Sequence, residues 1–275
     1  MLVAGTDMLK RLFLLLLPVF TAFPQSSGDW RLVWSDEFDR DGRPDPAKWT
    51  YETGFVRNRE MQWYQPENAW CEKGKLVIEG RRERKPNPSF AAGSQNWKNS
   101  REFAEYTSAS VTSKGIANWQ YGRFEMRGRI DTRAGIWPAF WSLGAERRWP
   151  SCGEVDIMEY YKGTLLANLI WAGPRGVTSF TRRKPVASFA DPAWSDKFHT
   201  WRMDWDANRM VISVDGEVLN DSDLNLAANP DGSNGFRQPH YVILNLAVGG
   251  DAGGDPSATQ FPARFEADYV RIYQK

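Results

Sequence analysis

Gly122–Ile130 reads GRFEMRGRI, with Phe124 and Met126 on one side of the alternation and Arg123, Glu125 and Arg127 on the other. A period of two is the mark of a half-buried strand, apolar toward a core and charged toward water. Outward from it, residues 75–80 (KLVIEG), 200–205 (TWRMDW), 241–248 (YVILNLAV) and 267–273 (ADYVRIY) carry strand signals too. Residues 210–218 (MVISVDGEV) add an Asp215-Gly216 turn of the hairpin kind. Gly, Pro and Asn clusters separate these runs at short intervals, and no long window keeps a 3.6-residue period beyond the N-terminal apolar segment. Residues 85–105, with Pro86, Pro88 and Gly93, read as one long polar loop. No repeat or shift in composition divides the chain. The expectation is all-β: an antiparallel sandwich forming a single domain over residues 28–275.

The 275 residues carry 35 Lys and Arg against 34 Asp and Glu, a formal net charge of +1. Such a chain has no broad field for nucleic acid or an anionic membrane, and a neutral polar partner suits it better. The 14 Trp, 9 Tyr and 15 Phe are abundant. Core packing accounts for most, but flat apolar faces that leave an N–H free also suit stacking on sugar rings. Residues 8–23 (MLKRLFLLLLPVFTAF) join basic Lys10 and Arg11 to an apolar stretch too short to span a bilayer. They read as an export signal within residues 1–27, cleaved somewhere in 22–28, with Met8 as a second possible start. The mature protein is then expected to be secreted or periplasmic, without a membrane span, and a monomer. Cys71 and Cys152 are the only cysteines. Export would permit a disulfide, but they are read as two free thiols. His199 and His240 stand alone without ligand spacing, which argues against a catalytic zinc site.

Residues 152–161 (CGEVDIMEYY) concentrate the chemistry. On a regular strand Glu154 and Asp156 share a face, while the odd spacing would turn Glu159 away. One extra residue at Ile157-Met158, a β-bulge, returns it to the first face. Glu154 and Glu159 would then lie about four strand steps apart, roughly 13 Å between Cα atoms. Side chains leaning toward each other bring the carboxyls to around 5 Å, the separation of a retaining glycosidase. With Asp156 between them, three such groups cannot all ionise freely, so the cluster should hold a proton at neutral pH. A solvated charge run and a metal-binding triad are the rival readings. Alternation with Val155, Ile157 and Met158, and the lack of Lys or Arg from Gly153 to Tyr161, weigh against the first.

G-E-V-D-I-M-E resembles the catalytic signature of glycoside hydrolase family 16 in its bulged E-x-D-x-x-E form, typical of laminarinases and agarases. Residues 33–38 (VWSDEF), 135–143 (GIWPAFWSL), 241–250 (YVILNLAVGG) and 268–273 (DYVRIY) resemble its opening, cleft and closing strands. The resemblance implies a β-jelly-roll sandwich of two antiparallel sheets with a concave cleft. It implies Glu154 as nucleophile, Glu159 as acid/base, and Asp156 as the group orienting and tuning the nucleophile. Trp137 and Trp141 resemble cleft tryptophans that stack on sugars, and Asn58 a sugar-contacting residue on an N-terminal loop. Trp119, Trp149 and Trp171 are further cleft candidates, each of which core packing would also explain. Asn245, alone among apolar neighbours, needs a partner: a sugar or a buried structural contact. Catalysis is expected to need no cofactor. Many members hold a structural calcium, and the matching positions are Glu37, the Gly74 carbonyl and Asp268, an all-oxygen set that suits Ca²⁺.

The expected activity is retaining endo-cleavage of a β-1,3-glucan or mixed-linkage β-1,3/1,4-glucan. The pattern departs from laminarinases after the catalytic strand, where many carry a histidine and this chain reads LLANLIWAG over 165–173. Arg175, Arg182 and Arg183 nearby would suit a sulfated galactan, which keeps an agarase- or porphyranase-like hydrolase open. A noncatalytic glucan-recognition protein could use the same fold, although it would not need both glutamates. A transglycosylase would share the catalytic residues and differ only in the acceptor it favours.

Overall fold

A computed structural model describes residues 30–275, so the expected export signal lies outside the described residues. Two antiparallel sheets face each other. One runs in the order Gly176–Pro185, Thr164–Gly173, Glu154–Tyr161, Ile136–Gly144, His240–Val248, Ser110–Thr112, Thr50–Tyr51. The other runs Glu217–Asp223, Arg209–Val214, His199–Trp205, Gly122–Ile130, Ala263–Gln274, Leu76–Gly80, Ala69–Cys71, with Arg31–Asp36 also paired to Ala263–Gln274. The expected sandwich is present, and residues 210–218 form the hairpin Arg209–Val214/Glu217–Asp223 around Asp215 and Gly216.

Alternation builds the core. Phe124, Met126 and Ile130 from the second sheet meet Phe140, Val155, Leu169 and Leu244 from the first, all buried in one cluster. A single amide joins the sheets where the cleft strands need support. Asn220, 1% exposed, donates from Nδ2 to the carbonyls of Ala167 at 2.8 Å and Phe180 at 3.1 Å.

The loop of residues 85–105 is closed by a short pairing of Lys85–Pro86 with Phe103–Ala104. Inside it, the Asn87 amide donates to the carbonyls of Lys98 and Arg101, each at 2.8 Å. Arg101 then reaches out: its guanidinium lies 3.9 Å from the Phe55 ring centroid and donates to the Glu60 carbonyl at 2.8 Å. The long loop thereby holds the N-terminal loop that carries Asn58.

Cys71 and Cys152 are both free and buried. Burial pushes their thiols up to about 12 and about 11. No helix among the described residues is long and apolar enough to cross a membrane.

Candidate active site

Glu154–Tyr161 is central in its sheet, between Ile136–Gly144 and Thr164–Gly173. Asp156 pairs with Asn168 and Glu159 with Leu166, so three steps on one strand match two on the other. On the opposite side Asp156 faces Trp141 and Glu159 faces Ala139, with the same slip. The extra residue lets both Ile157 and Met158 enter the core. Glu154, Asp156 and Glu159 consequently line one cleft, of about 640 Å³, together with Trp137, Trp141 and Trp149.

Each carboxyl has its own donors. Trp149 Nε1 donates to Glu154 Oε2 at 2.5 Å, and Trp137 Nε1 to Glu159 Oε1 at 2.9 Å. Asn168 Nδ2 donates to Asp156 Oδ2 at 2.8 Å and to Glu159 Oε2 at 2.9 Å. Burial raises all three carboxyls above the ordinary range. Asp156 is held well above it by burial and by the charges of Glu159 and Glu154. Burial carries Glu159 to about 7, opposed by the Trp137 and Asn168 donors and reinforced by Glu154. Glu154 is also raised by burial, but the Trp149 N–H, the Arg57 charge and a hydrogen bond with Asp156 all pull it down.

The tryptophans divide. Trp137 and Trp141 line the cleft but are only 8% and 6% exposed, and both N–H groups are spent inside the protein. Trp141 Nε1 donates to Asn245 Oδ1 at 2.7 Å, and Asn245 Nδ2 donates to the Tyr64 hydroxyl at 2.9 Å. The Arg57 guanidinium lies 4.9 Å from the Trp141 ring centroid and is ion-paired to Glu52. Trp149, by contrast, is 53% exposed and stands open at the cleft.

Trp119 and Trp171 are not in the cleft. Trp171, 3% exposed, packs against Phe180 at 4.7 Å between ring centroids. Strand parity is the reason: Leu166, Asn168 and Ile170 face the cleft, so the next residue faces the core. The Trp119 ring packs 5.0 Å from Trp34 and 6.1 Å from Phe124, on the far side of the sheet. Asn58 does line the cleft, with φ of 54°, and its amide is 3.3 Å from Glu60 Oε1.

The residues matched to calcium do not fit a cation as they stand. Glu37 is engaged by Arg271 through bonds of 3.0 and 2.8 Å, and Asp268 by Arg127 at 2.6 Å. A guanidinium thus faces each carboxylate that would have to take the ion. Among the described residues no group of three or more His, Cys, Asp or Glu side chains gathers as a metal site.

The cleft also holds Asn168, Arg57, Tyr161 and Thr181, none of which the sequence pattern marks as a site residue. For Asn168 a signal existed: one amide inside LLANLIWAG, the same oddity that marks Asn245. Arg57 offers no comparable sign, since arginine is ordinary in a polar loop.

Residues 80–271 match glycosyl hydrolases family 16. The chain belongs to this family. It is 35% identical over 269 residues to a beta-glucanase of Rhodothermus marinus, covering 89% of this chain and 85% of that one. It is also 35% identical to a glucan endo-1,3-beta-glucosidase of Cryptopygus antarcticus, covering 93% and 96%. A solved structure from work on endo-acting O-glycanases of the human gut microbiota superposes with a TM-score of 0.82 at 34% identity, covering 90% and 92%. The family 16 protein is a glycoside hydrolase built as a jelly-roll sandwich.

Proposed function

We propose that this hydrolase cleaves internal bonds of a β-1,3-glucan or a mixed-linkage β-1,3/1,4-glucan with net retention. The observation that carries the reading is the unequal treatment of Glu154 and Glu159 on one face. Burial raises both, but at Glu154 the Trp149 N–H and the Arg57 charge oppose it, whereas Glu159, opposed by its own donors, is still carried to about 7. Glu154 attacks the anomeric carbon as its bond to the leaving oxygen breaks, and Glu159 gives that oxygen a proton. Glu159 then takes a proton from water as the water oxygen attacks the same carbon and Glu154 leaves. Asp156 holds a proton beside Glu154 and limits the charge on the strand. The open plate of Trp149 offers a sugar its apolar face. The two relatives named for glucan hydrolysis support the substrate class. Export through the N-terminal segment and action as a monomer belong to the same reading.

A second reading, hydrolysis of an algal galactan in the manner of agarases and porphyranases, draws on one observation. Arg183 lines the cleft, is exposed, and has no ion-pair partner among the described residues. Laminarin, barley mixed-linkage glucan, agarose and porphyran, offered side by side with product sizes recorded, decide the substrate. For the mechanism, Glu154→Ala with azide should give an inverted adduct from an activated substrate. Glu159→Ala with azide should give a β-configured one. Swapped configurations reverse the roles, and full activity in either variant removes that residue from the reaction.

A further inference from the structure

One side chain joins the carboxyls and takes no part in the two chemical steps. Asn168 stands opposite Asp156 on the neighbouring strand, buried, between the cleft-facing Leu166 and Ile170. Its nitrogen carries two hydrogens, and the two carboxyls each receive one, at 2.8 and 2.9 Å. Its Oδ1 meets no donor from the protein, so the amide is oriented by the two carboxyls rather than by a bond of its own. Asp156 in turn neighbours Glu154 on the same strand face, and each shifts the other's protonation. A hydrogen-bonded line results, Trp137 to Glu159 to Asn168 to Asp156, with Glu154 and its Trp149 donor beside it.

We propose that Asn168 is a positioning residue that ties the protonation of Glu159 to that of Asp156 by presenting one N–H to each. The proposal rests on Glu159 being the acid/base. With Oε1 held by Trp137 and Oε2 by Asn168, the plane of the Glu159 carboxyl is fixed. One lone pair on each oxygen is taken, and what remains serves the proton and the cleft. N–H donors favour the carboxylate over the acid, so the bond from Asn168 strengthens as Glu159 gives its proton away. The same nitrogen binds Asp156, so a change of charge at Glu159 is felt there without movement of the backbone. Leucine at this position would fill the space and offer neither carboxyl a donor. Serine could serve only one of them.

The test uses the whole folded protein and two readouts. In protein labelled with carbon-13 at the glutamate carboxyls, the Glu159 resonance is assigned by its loss in Glu159→Gln and titrated without substrate. Asn168→Leu should raise the Glu159 midpoint by about one pH unit, because a donor to the charged form is gone. Asn168→Ser should raise it by less, and serves if the leucine variant does not fold. The alkaline limb of kcat/KM on the preferred glucan should move upward by the same amount, with kcat lowered roughly tenfold. An unmoved carboxyl midpoint in a folded variant overturns the role of Asn168. A moved midpoint with an unmoved kinetic limb supports Asn168 and instead overturns Glu159 as the acid.

Discussion

Trp137 and Glu159 are locked edge to carboxyl: the indole N–H meets Oε1 at 2.9 Å, from the strand beside the carboxylate's own. The tryptophan expected to stack on sugar lines the cleft with only 8% of its surface exposed and also serves as a donor to Glu159. Trp137→Phe keeps most of the ring and removes the donor. It should raise the alkaline limb of kcat/KM by about half to one pH unit, as loss of a donor to the carboxylate destabilises the charged form. Its melting temperature should change little. A pH–rate profile identical to the parent's would exclude this function of Trp137.

Trp149 should behave differently, because its ring is exposed. In Trp149→Ala, KM should rise roughly tenfold with loss of the stacking face. The melting temperature should fall by no more than about 2 °C, as expected for an exposed side chain. Steady-state kinetics on oligosaccharides with thermal melts separate the two effects, and a large loss of stability with unchanged KM would contradict the assignment.

Glu159 also links stability to pH. Its carboxyl is carried from the ordinary glutamate range to about 7 by burial, so the folded protein binds the proton more tightly than the unfolded chain. The resulting stability is fully present below the unfolded value and is lost as pH rises through about 7. Glu159→Gln, which cannot ionise, should therefore melt higher than the parent at pH 8 and gain little at pH 4. Melting curves across that range check the sign, and a gain confined to acid would reverse it.

Two further changes probe the frame around the site. Asn220→Leu leaves two inter-sheet carbonyls without their donor and should cost about 1–3 kcal/mol in urea unfolding. Gly235→Ala should cost at least as much, since a Cβ there would lie 2.5 Å from Gly153 N and 2.7 Å from Cys152 C. That contact presses the loop before His240–Val248 against the entry to Glu154–Tyr161, so activity should fall with stability. Normal stability in either variant would show that the backbone yields there.

The strands were legible because alternation survives in charge and size, as in Gly122–Ile130, where the observed bounds equal the expected ones. The slip between Glu154 and Glu159 was legible for the same reason: parity conflicts with a shared face unless one residue is extra. Indoles were harder to read. Trp141 and Trp171 both sit on strands of the cleft sheet, yet one faces the cleft and the other the core. An indole is at home in either place, so its chemistry does not announce its side, and only the register with Asn168 settles it. Distance along the chain hid the rest. The contacts of Arg57 with Trp141 and of Arg101 with Glu60 depend on loops whose paths no local pattern encodes.

The bulge has two sides, and they count residues differently. Seen from the cleft, Asp156 and Glu159 occupy consecutive same-face places opposite Asn168 and Leu166, as if nothing had been inserted. Seen from the interior, the insertion is a whole apolar side chain, since Ile157 and Met158 are both buried. Excising one of them would be silent in the spacing of the reactive groups and would open a void behind them. What holds the extra residue in place is therefore the volume of the facing layer, to which the spacing on the cleft side is indifferent.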